Sequence, residues 1–361
     1  MKRRKTILVI DWLDAYAGSE QVVKYLHQKY KFDKVYTLIN IMPKNNIQKI
    51  FGEEEIEIET TWLKFFGKNF RLALPFFPFF LNQLKVKEKN ALIISVTHSV
   101  VKGVSYNKTC KHISYLVARN LKYVWEEKNL YFKGIKKIGS FMIPFLRKFD
   151  VRMSKKPTLI ISVSDFVTNW AKEKYNRKVT TINPPVNIDD FEYYEDKEDF
   201  YVSVGRLEPY KRYDLLIDVF NKNGKKLIII GDGSLMKELK TRANSNIEFK
   251  GYLFPDESKE FLKKAKAFVF CGKEDFGIAL LEPQVCGTPV VAYAAGGALD
   301  TVIDNKTGVL FKEQNIVSLS QAINVFESRK FSTKLIREHS LNFSVDNFKN
   351  EFHKVVFDNF N

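Results

Sequence analysis

Short apolar runs rich in β-branched residues recur along this chain, each about one strand long, with helical patterns between them. They are TILVI (6–10), KVYTLI (34–39), ALIISV (91–96), HISYL (112–116) and TLIISV (158–163), then FYVSV (200–204), KLIII (226–230), KAFVF (266–270) and PVVAY (289–293). Polar residues, glycine or proline bound each run. Between them lie segments such as SEQVVKYLHQKY, SDFVTNWAKEKY and YDLLIDVF. Strands alternating with helices predict an α/β fold of parallel sheets with helices on both faces. The alternation breaks at 183–199, NPPVNIDDFEYYEDKED, which holds two prolines and seven acidic residues. Pro-Pro resists both helix and central strand, so this stretch reads as a linker. The expectation is two doubly wound, Rossmann-like domains, 1–182 and 183–341. An amphipathic helix over about 342–361 is expected to dock back on the first domain.

Charge divides the chain in the same way. Residues 1–180 carry 34 Lys/Arg against 15 Asp/Glu, a net of +19, and residues 181–361 carry 24 against 27, a net of −3. One half is therefore expected to face an anionic partner: acidic lipid, a phosphorylated acceptor or nucleic acid. No run approaches the ~18–20 apolar residues of a spanning helix. The five-residue run before Asp11 is too short for a signal peptide. Cys110, Cys271 and Cys286 form neither a CxxC pair nor a metal spacing. A reducing, cytoplasmic location is expected.

In doubly wound domains ligands bind beyond the carboxyl ends of strands, so residues just after strands come first. Strand FYVSV ends at Gly205, followed by Arg206 and, near a helix start, Lys211. Cations beside a helix N-terminus favour a phosphate. After KAFVF come Glu274, Asp275, Phe276 and Gly277, and then IALLEPQVCG, a helix expected to place Glu282 two turns in. Carboxylates accept hydrogen bonds from sugar hydroxyls, so Glu274 could hold a pyranose and Glu282 a ribose. Gly277 permits close backbone approach, and the amides of Gly277, Ile278 and Ala279 lie at a helix start. Gly18 and Ser19 open a helix after the first strand, and Gly231–Asp232 follow KLIII in the same manner. His98 follows ALIISV.

This series, with THSVVKGV, INPPVNIDDF, GRLEPYKRYDLLIDVF, IIIGDGSLMKEL and EDFGIALLEPQVCGTPVVAYAAGGALD, closely resembles the family-four retaining glycosyltransferases of the GT-B fold. Within that family it looks most like bacterial mannosyltransferase-type enzymes of lipopolysaccharide and other surface-glycan assembly. The resemblance implies two domains facing across a cleft and a nucleoside-diphosphate sugar donor, GDP-mannose ahead of a UDP-sugar. It implies that Arg206 and Lys211 neutralise the diphosphate, Glu274 contacts the transferred sugar and Glu282 the ribose. The backbone of Phe276 to Ala279 would bind sugar or phosphate, Gly18 would admit the diphosphate, and Gly251–Tyr252 would lie near the base. His98 would touch a sugar hydroxyl. The family mechanism is front-face substitution with retention. No DxD pair stands at a cleft position, so no metal or other cofactor is expected. One departure stands out: where close relatives carry Cys-His-Thr-Pro-Met-Arg, this chain reads SYLVARNLKYVWE (114–126); the Tyr before it and the later Tyr-x-Trp (Tyr123, Trp125) persist, but the His, Thr and Pro are gone.

Residues 62–81, WLKFFGKNFRLALPFFPFFL, interleave aromatic rings with cations. Trp62, Phe65, Phe66, Phe70, Phe76, Phe77, Phe79 and Phe80 with Lys64, Lys68 and Arg71 suit a lipid headgroup interface. The leading reading is a glycosyltransferase peripheral at the inner membrane face, acting on a glycan or polyprenyl-diphosphate-linked acceptor. The rival readings are another GT-B activity, such as a sugar phosphorylase or nucleotide-sugar epimerase, and a basic nucleic-acid-binding protein. Nucleic acid is not the expected partner.

Overall fold

The computed structural model describes residues 4–126 and 141–360. The chain forms two compact units, Met1–Asn183 with Lys349–Asn361, and Pro184–Phe348. The first holds a seven-stranded sheet of β1 (Thr6–Ile10), β2 (Lys34–Thr37), β3 (Ile58–Glu59), β4 (Leu92–Thr97), β5 (Lys111–Leu116), β6 (Leu159–Ser162) and β7 (Thr180–Thr181). Their order is β3-β2-β1-β4-β5-β6-β7. The second holds β8 (Glu198–Val204), β9 (Leu227–Ile230), β10 (Ile247–Gly251), β11 (Ala265–Phe270), β12 (Val290–Tyr293) and β13 (Gly308–Phe311), in the order β10-β9-β8-β11-β12-β13. Every strand pair is parallel. Leu8, for example, lies between Val35 and Ile94 in register, and all three are fully buried. That is why the strands read as continuous apolar runs. Both sheets reverse direction at one point, between β1 and β4 and between β8 and β11.

Local signals fix the helix ends. Ser164 caps helix Asp165–Tyr175 by accepting from the Val167 amide at 3.1 Å. Helix Tyr213–Asn223 ends at Gly224 in the left-handed region. Helix Val345–Phe360 passes into the first unit at Lys349, whose Nζ donates to Gln28 at 2.7 Å, and Phe352 packs against Tyr30 and Tyr115.

Segment 183–199 is not a free linker. Pro184, Pro185 and Val186 are buried in the second unit, and the Val186 amide donates to the Phe343 carbonyl at 2.9 Å. Its acids lie outside, and three of them pair with lysines: Glu192 with Lys263, Glu198 with Lys264 and Asp199 with Lys266. The prolines break regular structure but are apolar, so burial decides where they go.

The aromatic segment is divided between core and surface. Residues Trp62–Phe76 form a 3-10 helix broken at Gly67, followed by helix Phe77–Leu81. Phe70, Phe77 and Phe80 turn inward with Leu63 and Leu81 and are core residues, which corrects their assignment to a lipid-facing surface. Arg71 is tied to Asp14 at 2.5 Å and lies over the Phe70 and Trp12 rings. Trp62, Phe65, Phe66, Phe76 and Phe79 stay exposed, Phe65 at 79%, beside exposed Lys64 and Lys68. A helix covering a sheet must present one side inward, and an almost wholly aromatic sequence conceals which side.

One ion pair in this unit is wholly buried. Lys102 pairs with Asp150, whose carboxylate also accepts from Trp125 Nε1 at 2.9 Å and Tyr175 Oη at 3.0 Å; Lys102 donates to the Ser99 carbonyl at 2.9 Å. Removing one partner strands a buried charge, which costs ~3–5 kcal/mol. Asp150→Ala and Lys102→Ala are each expected to lower the unfolding free energy from urea titration by that much, and the double variant by less than the sum. Additive losses would show that the two groups are not coupled.

Candidate functional site

In the second unit the loops after β8 and β11 flank the point where the strand order reverses, the place where open α/β sheets bind ligands. Gly205 ends β8, and a 3-10 turn, Pro209–Lys211, then leads into helix Tyr213–Asn223. Lys211 pairs with Glu274 from the β11 loop. Its ammonium lies 5.0 Å from the Phe270 ring centroid and 5.6 Å from that of Tyr210. Exposed Arg206 donates to Tyr210 Oη at 3.2 Å. Arg206, Tyr210, Lys211 and Glu274 therefore form one connected set. Tyr210 has no place in the sequence argument, because a lone tyrosine in a turn carries no signal of its own.

Close backbone contact holds these loops. The Gly205 amide donates to Ile230 and the Gly231 amide to Gly251, at 2.9 and 2.7 Å. A Cβ on Gly231 would strike the Gly205 carbonyl oxygen, so this glycine serves loop-to-loop packing. Asp232 is exposed; its carbonyl accepts from Leu207 and its side chain from the Gly233 amide. Tyr252, just past β10, is 70% exposed. On the other side, Gly296 and Gly297 meet the β11 loop. The Gly297 amide donates to the Glu274 carbonyl at 3.0 Å, and a Cβ on either glycine would run into the carbonyl of Glu274 or Phe276. These glycines lie inside the AAGGALD run, where two adjacent glycines after a strand are the signal.

The Phe276 ring is buried against Phe343, which leaves only its backbone for a ligand. Gly277 takes a left-handed φ of 84° and caps a single 3-10 turn, Ile278–Leu280. The amides of Phe276, Gly277, Ile278 and Ala279 donate to no acceptor among the described residues. Helix Leu281–Val285 follows directly, so Glu282 lies just over one turn in rather than two, and Pro283 falls in the first turn, where no helical donor is lost. Burial pushes the Glu282 carboxyl up to about 7, with Lys259 opposing and Asp190 adding to the rise. Its oxygens make no hydrogen bond or ion pair among the described residues.

In the first unit the reversal point lies after β1 and β4, and there the buried Asp11 organises the chain. Its Oδ1 accepts from the Val100 and Val101 amides at 2.8 and 3.0 Å. Its Oδ2 accepts from Thr97 Oγ1 and the His98 and Ser99 amides at 2.9, 2.7 and 2.8 Å. His98 stands edge-on to Trp12 at 4.2 Å, with Nδ1 3.7 Å from Asp11 Oδ2. Desolvation holds its imidazole below the ordinary pKa, against the pull of Asp11. The segment that departs from the family pattern supports this loop: Asn120 donates to the Ser99 carbonyl at 2.9 Å and the Leu121 amide to the His98 carbonyl at 3.1 Å. Gly18 and Ser19 open helix Gly18–Tyr30, where the Ala17 amide donates to buried Glu20 at 3.0 Å. Asp11 carries the loop, and its only sequence signal is an acid ending an apolar strand.

Comparison with known proteins follows the same division. Residues 187–340 match the family model described as glycosyl transferases group 1, which covers nearly the whole second unit. An uncharacterized glycosyltransferase of Methanocaldococcus jannaschii, MJ1178, is 30% identical over 190 residues, 51% of this chain and 54% of that protein. The GDP-mannose-dependent monoacylated alpha-(1-6)-phosphatidylinositol monomannoside mannosyltransferase of Corynebacterium glutamicum is 31% identical over 134 residues, 33% of this chain and 35% of that protein. The matches thus span about half and about a third of these curated relatives' lengths. The crystal structure of Anabaena HepE in complex with UDP superposes with a TM-score of 0.72 at 16% identity, covering 98% of this chain and 100% of that one. The fold is that of the GT-B glycosyltransferases, and residues 187–340 are similar to the glycosyl transferases group 1 family.

Proposed function

We propose that this protein is a retaining glycosyltransferase that moves a hexosyl group from a nucleoside-diphosphate sugar to a lipid-linked or surface-glycan acceptor. The observation that carries this reading is the convergence of Arg206, Lys211, Glu274 and the unpaired 276–279 amides at the reversal point of the second sheet. Breaking the anomeric bond places negative charge on the departing diphosphate. Lys211 and Arg206, held by Tyr210 and Glu274, are preset to meet that charge without reorganising. Donor entry would turn Lys211 from Glu274 toward phosphate and free the carboxylate for sugar hydroxyls. Glu282 accepts from the ribose. The cations take the part a divalent metal plays elsewhere.

GDP-mannose is the leading donor, supported by the mannosyltransferase relatives; the UDP bound to HepE makes UDP the comparison. Calorimetry with GDP and UDP separates them. For the acceptor, the net charge of the first 180 residues and the exposed Trp62, Phe65, Phe66, Phe76 and Phe79 favour an anionic membrane surface. No helix among the described residues is long and apolar enough to cross a membrane.

Lys211→Ala and Arg206→Ala are each expected to cut turnover by ~100-fold or more with little change in melting temperature. Two fully active variants would remove the phosphate assignment, and loss of wild-type activity in EDTA would overturn the metal-free mechanism.

Glu274→Gln should weaken binding of the intact donor and spare the free nucleoside diphosphate, whereas Glu282→Gln should weaken both. The raised Glu282 pKa has a further consequence. Folded protein holds this proton between pH 4.5 and about 7 while the unfolded chain releases it, so Glu282 costs stability as pH rises through that window. Nucleotide affinity should increase over the same range as the carboxylate forms. In Glu282→Gln both dependences should flatten, and calorimetry and thermal melts across the window check this.

A further inference from the structure

Helix Ile143–Met153 in the first unit has an outward face that the donor chemistry does not use. Its inward side chains, Ile143, Leu146, Phe149 and Met153, join the same core cluster as Leu63, Phe70 and Phe77 of the aromatic segment. The two segments therefore cover one core. Outward, Phe141 and Phe145 are 75% and 57% exposed, and Lys148, Arg152 and Lys155 are exposed beyond them. Steps of three and four residues put Phe145, Lys148 and Arg152 in one row along the helix; Phe141 stands two residues before its start and Lys155 two residues after its end. Rings occupy one end of the row and cations the other.

Beside the row lies a depression of about 390 Å³ lined by Trp125, Arg147, Lys148, Val151, Arg152 and Lys155. Its floor is fixed. Trp125 Nε1 donates to Asp150 at 2.9 Å, and the Arg147 guanidinium donates to the Val124 carbonyl at 3.1 and 2.9 Å while lying 5.2 Å from the Trp125 ring centroid. Among the described residues no carboxylate lines the depression, and the nearby Asp150 is consumed by Lys102, Trp125 and Tyr175. Lys148, Arg152 and Lys155 make no ion pair among the described residues. Elsewhere in this unit lysines do find acids, as Lys34 does with Glu57 and Glu59.

We propose that this face binds the phosphate or diphosphate of a lipid at a membrane surface, with the anion among Lys148, Arg152, Lys155 and Arg147 and the lipid chain against Phe141 and Phe145. The site rests on the lipid-linked acceptor of the preceding reading and gives it a location. The segregation of rings from cations selects this ligand. A soluble phosphate gains nothing from two exposed phenylalanines, and two rings confined to one end offer no succession of stacking platforms along a basic groove for a nucleic acid. An amphiphile has this same division between an anionic head and an apolar chain.

The test is co-sedimentation of the full chain with phosphatidylcholine vesicles, with and without phosphatidylglycerol. Wild type should bind the anionic vesicles and leave the neutral ones. The triple variant Lys148→Gln/Arg152→Gln/Lys155→Gln should lose on the order of fivefold per cation, about 100-fold together. Phe141→Ser/Phe145→Ser should bind at low salt and lose the binding that survives high salt. All five positions are exposed, and circular dichroism should show wild-type folding in both variants. Equal binding by the triple variant, equal binding to neutral vesicles, or retention on DNA without vesicle binding would each overturn the proposal. So would calorimetric binding of inorganic pyrophosphate that depends on the three cations in a protein that ignores vesicles. Nucleoside-diphosphate binding, measured on the same preparations, reports on the second unit. If it fails while vesicle binding depends on the three cations, the donor reading falls and the lipid site stands. If it holds while the triple variant sediments normally, the lipid site falls alone.

Discussion

Parallel strand pairing is the constraint on which both units depend. A parallel strand cannot return through a tight turn, so each must be followed by a crossover that covers a sheet face. Both faces are then buried, and every strand ends on the same edge. Where the order reverses, two neighbouring loops diverge and leave room. Arg206, Lys211 and Glu274 occupy that position in the second unit, and Asp11 and His98 occupy it in the first. The chemistry-bearing side chains stand where they do because of the sheets, before any specific contact is counted.

The two reversal points are made firm by different means. In the second unit the loops approach so closely that only glycine fits at Gly231, Gly296 and Gly297, and amide-to-carbonyl bonds lock them. In the first unit one buried carboxylate does this work. Asp11 accepts five hydrogen bonds, and the loop it holds is tied through Ser99 to the buried Lys102–Asp150 pair. A charge that deep is tolerated only when its lone pairs are met, which makes the loop around His98 a single cooperative arrangement. Asp150 also anchors Trp125, so the same network reaches the basic depression on helix Ile143–Met153.

Electrostatics separates the roles of the halves. In the second unit acids and lysines compensate one another, and Lys211 pairs with Glu274. In the first unit the excess cations include Lys148, Arg152 and Lys155, which have no acidic partner among the described residues and stand beside exposed rings. Unpaired surface charge in a row costs self-repulsion, and a ligand of opposite sign relieves it.

The strands β3, β7, β10 and β13 escaped the sequence reading, but the sequence by itself determined the other nine and their parallel arrangement. These depend on local pattern: apolar runs buried on both faces, glycine at turns and cations near helix starts. The positions of Arg206, Lys211 and Glu274 just past strand ends were legible for that reason. What only the tertiary structure decided is which chemically similar residues face inward. Phe70, Phe77 and Phe80 are core while Phe65, Phe76 and Phe79 are not, because the 3-10 turn and the break at Gly67 set the rotation of each ring. Pro184 and Pro185 became packed rather than loose, because an apolar surface lay within reach. Asp11 and the Gly296–Gly297 pair gained their roles from partners tens of residues away. A pattern confined to neighbours in sequence carries no record of such partners, since the pairing is made by the packing of the sheets.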